Sequence, residues 1–170
     1  LIIGYWLAEG SFGRNSINKQ ASSLRFDLDI TGEEDYVAEL TAAGERQGWT
    51  PHIYSCPERS TTTIVFNGNA ERVREYESWF MSGAWNKCVP LWLCGLPQSC
   101  ITKLLVGYFK GDGALYTDPE RALATTVSYD LATGIQRLLW AVGILGCVYY
   151  YETGERKPGS MVMTPFKGYR

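Results

Sequence analysis

Glu9 and Asp112 stand in matched surroundings. Gly4, Tyr5, Ala8, Glu9 and Gly10 map onto Gly107, Tyr108, Gly111, Asp112 and Gly113 at a constant offset of 103 residues. Each segment is apolar and closes on a small residue, an acid and a glycine, so each reads as a helix with the acid in its last turn and the glycine as a left-handed stop. Gly4-xxx-Ala8 and Gly107-xxx-Gly111 set two small residues one turn apart on one face. Such faces let helix backbones approach closely, so the two motif helices are expected to pack on each other. A carboxylate at a helix C-terminus sits at the unfavourable end of the macrodipole, and two of them brought together repel unless a cation lies between. A hard divalent ion with oxygen ligands meets that need, Mg²⁺ best. Held by carboxylates with open water positions, it can activate water and stabilise charge on a scissile phosphate.

The elements that must position these acids follow the same order twice. After the first motif, Ser11 to Lys19 and Ser22 to Ile30 read as a hairpin. Its second strand alternates Leu24, Phe26, Leu28 and Ile30 with Ser23, Arg25, Asp27 and Asp29, the period of a strand with one buried face. Thr31 with Glu34 three residues on is a capping box, predicting a helix from about Gly32 to Gln47 that Gly48 ends. Strands near His52 to Ser55 and Thr61 to Asn67 come next, then a helix capped by Asn69 and running through Phe80. After the second motif the pattern gives strands at Ala114 to Thr117 and Ala122 to Tyr129, and a helix capped by Asp130 that runs through Leu145 and ends at Gly146. Strands at Val148 to Glu152 and Ser160 to Thr164 complete it. The expected fold is α+β: two αββαββ halves that repeat one another, with paired motif helices at their interface and antiparallel strands in each half. The first half spans residues 1–92 and the second 98–170, with a linker at 93–97 that contains Gly95 and Pro97.

Composition narrows the chemistry. With 16 Lys and Arg against 18 Asp and Glu, the formal charge of the 170 residues is -2, which argues against an indiscriminate polyanion binder. The five cysteines are scattered without a CxxC, so a zinc ribbon is not expected. A single histidine, His52, removes chemistry built on paired histidines, and no GxSxG nucleophile elbow accompanies it. Acid-base and metal work falls to carboxylates and lysines. No basic region precedes an apolar stretch, and no apolar run is long enough for a membrane span. The expected setting is intracellular: cytoplasm or nucleoid, or the nucleus or an organelle in a eukaryote.

Gly4-Tyr-Trp-Leu-Ala-Glu9-Gly10 and Gly107-Tyr-Phe-Lys-Gly-Asp112-Gly113 resemble the two copies of the LAGLIDADG motif of the homing endonucleases, particularly the dodecapeptide type found inside inteins. The resemblance covers essentially the whole chain. It implies that Glu9 and Asp112 bind the catalytic metal, Mg²⁺ with Mn²⁺ as a substitute. It also implies a pseudo-symmetric monomer whose antiparallel sheets form a DNA-binding saddle and which hydrolyses both strands of a long specific duplex site across the minor groove, with intein splicing segments on either side. Asn86-Lys87-Cys88-Val89-Pro90 is similar to the lysine-x-x-proline segment before the second motif, whose lysine contributes to catalysis, so Lys87 can polarise a water or neutralise phosphate charge. The equivalent lysine of the second half would fall beyond Arg170, as would a last helix, which is what a truncated second half would show. Lys110 departs from the motif, where a small or apolar residue is usual. It either reaches solvent or DNA at the edge of the helix pair or marks a degenerate second motif.

Two-stranded β-ribbons can read base edges in the major groove while Lys and Arg fix register on phosphates. The expected DNA-contacting bases are Arg14, Lys19, Arg25 and Arg59, then Arg121, Arg156, Lys157 and Lys167, with Asn15, Asn18 and Gln20 able to pair with adenine. Asp27 and Asp29 share the outward face with Arg25, where they either accept from cytosine or hold Arg25. Acids such as Glu33, Glu39, Glu71 and Glu77 fall on the helices behind the sheets, so charge is segregated by position. The leading function is a site-specific, metal-dependent double-strand DNA endonuclease. Two alternatives are a catalytically dead DNA-binding relative, suggested by Lys110 and the acidic strand face, and an RNA splicing maturase, which the low basic content disfavours.

Overall fold

The alternating segment becomes the centre of an antiparallel sheet. In the computed structural model, which describes residues 1–29, 34–56, 58, 60–117, 120–152 and 167–169, Leu24, Phe26 and Leu28 of strand β2 (Ala21–Asp29) are fully buried while Arg25 and Asp29 are exposed. β2 pairs with β1 (Gly10–Arg14) on one side and β4 (Thr61–Asn67) on the other, and β3 (Thr50–Cys56) pairs with β4 to give the order β1-β2-β4-β3. Pro51 sits in β3, an edge strand, the place in a sheet where a missing N–H is tolerated. Helices α2 (Glu34–Arg46) and α3 (Ala70–Phe80) cover the apolar face.

Helix α1 (Ile2–Glu9) leads directly into β1, and α4 (Gln98–Asp112) leads directly into β5 (Gly113–Thr117). β5 pairs with β6 (Glu120–Ala124); helix α5 (Tyr129–Ala141) follows, and β7 (Tyr150–Glu152) pairs with β8 (Lys167–Tyr169). The repeated helix-strand-strand-helix-strand-strand order is therefore present. A 3₁₀ turn at Leu91–Gly95 stands before α4. A single apolar cluster runs from Ile2 on α1 to Leu138 on α5. Within it Trp6 packs on Phe12 and Phe80, and Trp49 packs edge-on against Tyr76. Each fully buried Phe or Leu contributes about 1.5–3 kcal/mol relative to an exposed position. An isolated eight-residue helix such as α1 is marginal in water, so this burial is what holds it.

Several boundaries differ from expectation for identifiable reasons. β1 stops at Arg14 rather than Lys19, because the Asn15 carboxamide accepts from the N–H groups of Ile17 and Asn18 and turns the chain. Asn69 caps α3 as expected, accepting from the Glu71 N–H at 2.8 Å. α5 is capped by Ser128, not Asp130: the Ser128 hydroxyl accepts from the Leu131 N–H at 3.1 Å. α5 ends at Ala141, before Leu145, because Gly143 takes the left-handed conformation (φ 81°) and Gly146 lies back against Leu139. β6 ends at Ala124 rather than Tyr129, and β7 begins at Tyr150 rather than Val148. Thr31 and the strand expected at Ser160 to Thr164 lie outside the described residues.

Candidate metal centre and nucleic-acid interface

α1 and α4 meet backbone to backbone. A Cβ on Gly4 would lie 1.9 Å from the Leu104 carbonyl oxygen, and one on Gly107 would lie 2.5 Å from the Leu1 carbonyl oxygen. One turn on, a Cβ on Gly111 would lie 2.6 Å from Ala8 Cβ and 3.3 Å from Glu9 Cγ. The small residues are thus required by space, and their contact brings the C-termini of both helices, with Glu9 and Asp112, to one place. Gly10 and Gly113 correct the expectation of a left-handed stop: both are extended (φ -74° and -92°). They are glycine because a Cβ would strike the Trp6 ring at 2.3 Å or the Phe109 carbonyl oxygen at 2.1 Å.

Lys87 completes the arrangement. Its side chain is buried, and its ammonium donates to the carbonyl oxygens of Trp6 (3.0 Å), Leu7 (3.0 Å) and Ala8 (2.9 Å). The Trp6 carbonyl also accepts from the Gly10 N–H, while those of Leu7 and Ala8 lie in the last turn of α1, where carbonyls run out of helical partners, so the lysine caps the helix and offsets its dipole. All three donors of the ammonium are used. Burial pushes Lys87 down to about 8, against the pull of Asp112 and Glu9, so it remains a cation at neutral pH. Burial also lifts the Asp112 carboxyl above its usual range, and Lys87 offsets part of that. The Lys87 carbonyl accepts from the Ser128 hydroxyl at 2.6 Å, tying the segment to the start of α5.

Two half-buried carboxylates served by one shared ammonium form an oxygen-donor set short of positive charge, and a hard divalent cation fits it. Among the described residues no cluster of three or more His, Cys, Asp or Glu is poised around a metal. Glu9 and Asp112 would therefore hold an ion with water filling the remaining positions.

Lys110 points away from the carboxylates. Its ammonium pairs with Glu39 on α2 at 2.6 Å and lies over the Tyr36 ring, while the Tyr5 hydroxyl donates to the same Glu39 oxygen. The basic residues expected at DNA divide. Arg14 is bound to Glu77, the Ser82 hydroxyl and the Lys19 carbonyl, which makes it a strut between the β1 hairpin and the end of α3. Asn15 and Asn18 are engaged within their own turn. Lys19 is exposed at the hairpin tip, in the left-handed conformation. Arg25 is exposed on the outer face of β2, held by Asp27. Arg59, Arg156 and Lys157 lie outside the described residues, and Arg121 and Lys167 are described only as members of β6 and β8. Sequence reasoning missed Ser128 as the cap and Lys87 partner, Glu39 as the Lys110 partner, and Thr63 beside Asp27. Of these, the Ser128 cap had a local sign: a serine just ahead of a run with helical periodicity.

Residues 99–164 match the family model described as the LAGLIDADG-like domain. The likeness to that family thus falls on the second half of the chain. That match holds the second motif; the first is joined to it by the internal repeat and the paired helices. The chain is also 30% identical over 158 residues to the ATP-dependent DNA helicase Hel308 of Thermococcus kodakarensis, covering 87% of this chain and 13% of that protein. It is 24% identical over 162 residues to a DNA polymerase of Thermococcus hydrothermalis, covering 93% of this chain and 9% of that one. It thus spans about a tenth of the length of these curated relatives. Among solved structures it resembles the homing endonuclease I-DmoI in complex with DNA and Mn (TM-score 0.55, 9% identity, 87% of this chain and 81% of that one). A variant of I-DmoI with its target DNA in the presence of Mg gives a TM-score of 0.60 at 9% identity over 87% and 80% of the two chains. At such identity the likeness shows the fold alone, one shared with I-DmoI.

Proposed function

We propose that this chain is a site-specific double-strand DNA endonuclease that hydrolyses phosphodiesters with a divalent metal, Mg²⁺ or Mn²⁺, held by Glu9 and Asp112. The observation that carries this reading is the backbone contact at Gly4 and Gly107 that delivers one carboxylate from each motif to the same end of the helix pair, beside a buried ammonium. The ion would supply an activated water and charge stabilisation at the scissile phosphate. The protein's own part is positional. The helix pair fixes the two carboxylates, and Lys87 holds the end of α1 and supplies positive charge to both acids. The four-stranded sheet of the first half and the strand pairs of the second would lay the duplex across that centre, the chain acting as a monomer. The ion pair of Lys110 with Glu39 supports this reading over a degenerate motif, since it gives that lysine a partner on α2.

The same reading extends to an intein setting. A helicase and a DNA polymerase, whose names describe different work, each contain a segment similar to nearly all of this chain and amounting to about a tenth of their length. An inserted module explains that distribution. The decisive experiment uses duplex DNA made by joining the host-gene sequences that flank the insertion. The unaltered chain should cut it in Mg²⁺, and Glu9→Gln and Asp112→Asn should not. Binding without cutting by the unaltered chain would leave a DNA-binding protein and end the enzymatic reading.

A further inference from the structure

The outer face of the first sheet carries an arginine that is already aimed. Arg25 and Asp27 are two residues apart on β2 and therefore share a face, the one opposite Leu24, Phe26 and Leu28. Arg25 Nε donates to both carboxylate oxygens of Asp27, at 3.2 and 3.0 Å, and Nη2 donates to Oδ1 at 2.9 Å. This side-on pairing occupies the Nε edge of the guanidinium and leaves Nη1 and the outward hydrogen of Nη2 as a fork with no partner among the described residues. Asp27 is fixed in turn by its cross-strand neighbour on β4, whose Thr63 hydroxyl donates to Oδ1 at 2.6 Å. Burial raises the Asp27 carboxyl, and the bonds from Arg25 and Thr63 more than reverse that, so the pair stays ionised.

Two kinds of DNA group can receive the fork. A phosphate attracts unpaired positive charge, and here Asp27 cancels that charge. A guanine offers two acceptors, O6 and N7, at the spacing of two parallel guanidinium donors, and bidentate contact there depends on orientation more than on net charge. A neutral, oriented pair suits the base edge. Arg14, on the same hairpin, makes the contrast: its guanidinium is spent on Glu77, Ser82 and the Lys19 carbonyl.

We propose that Arg25, held side-on by Asp27 and Thr63, reads a guanine in the major groove of duplex DNA, and that Asp27 is the positioning residue for that one base pair. The proposal rests on the DNA-cleaving reading above. The test selects a randomised duplex DNA pool for binding to the full chain and to Arg25→Ala, Arg25→Lys and Asp27→Ala, with thermal melting to show that each variant is folded. The unaltered chain should enrich a sequence containing a guanine whose preference alone disappears in Arg25→Ala and in Arg25→Lys, which keeps the charge but not the fork. Asp27→Ala should lower that preference by roughly five- to a hundredfold, the size of one bidentate contact, without weakening binding to unrelated duplex. If Arg25→Ala instead weakens all sequences evenly and lowers the salt slope by about one, Arg25 is a phosphate contact, and the proposal is overturned while DNA binding stands. An unaltered chain that enriches no sequence overturns both readings.

Discussion

The two motif helices each end on an acid followed by a glycine, in different electrostatic company. At the end of α1 a buried ammonium from Lys87 meets three carbonyls, so Glu9 leaves a helix terminus that is already compensated. At the end of α4 no described lysine or arginine plays that part. The cation in its last turn, Lys110, turns aside to Glu39, and Asp112 shares Lys87 across the helix pair. The repeat is therefore symmetric in packing and asymmetric in charge. Packing is enforced by backbone contact and leaves no choice of residue, whereas charge can be balanced from any neighbouring element. Internal symmetry read from motifs should be trusted for shape before chemistry.

That contrast can be broken or sharpened by experiment. If both acids serve one metal centre, Glu9→Gln and Asp112→Asn should each cut DNA cleavage by at least about 10²-fold, and a chelator should abolish it. Cleavage that survives either substitution would make the centre one-sided. Gly4→Ala should destabilise the fold by on the order of 4 kcal/mol in denaturant melts, because its Cβ meets the α4 backbone at 1.9 Å. Gly107→Ala should cost less, about 1–3 kcal/mol, since its Cβ would stop 2.5 Å from the Leu1 carbonyl oxygen, which accepts the first helical bond of α1; equal costs would show that clearance does not set the penalty. Lys87→Met should cost about 2–3 kcal/mol by leaving buried carbonyls unpaired, with faster amide exchange along α1 and little change along α4. Lys110→Ala should change stability by about 0.5 kcal/mol, as expected for a half-exposed pair. A larger loss would show that α4 depends on Glu39 as α1 depends on Lys87.

Most of the first sheet was legible, because period-two burial in β2 and the Asn69 cap are local signals. The helix pairing was legible from the spacing of small residues, and both acids from their matched positions. What escaped depended on distance in sequence. That Lys87 would spend its donors on Trp6, Leu7 and Ala8 lies some eighty residues from any local pattern. Gly10 and Gly113 were assigned to glycine for the wrong reason: backbone freedom and lack of room leave the same letter in a sequence. Ser128 was passed over for Asp130 because both are good capping residues, and only the fold decides which hydroxyl or carboxylate faces the Leu131 N–H.

The offset of 103 residues between the motifs also sets a waiting time. At a synthesis rate of ~5–20 residues per second, α1 emerges roughly 5–20 s before α4 exists to meet it. During that interval Trp6 can already settle on Phe12 and Phe80, and what stays bare is the strip of Gly4 and Ala8. A strip of glycine and alanine offers a wandering hydrophobic surface little to hold. The residues that later allow the closest contact in the molecule are thus also the ones least able to form a wrong one while the chain is being made.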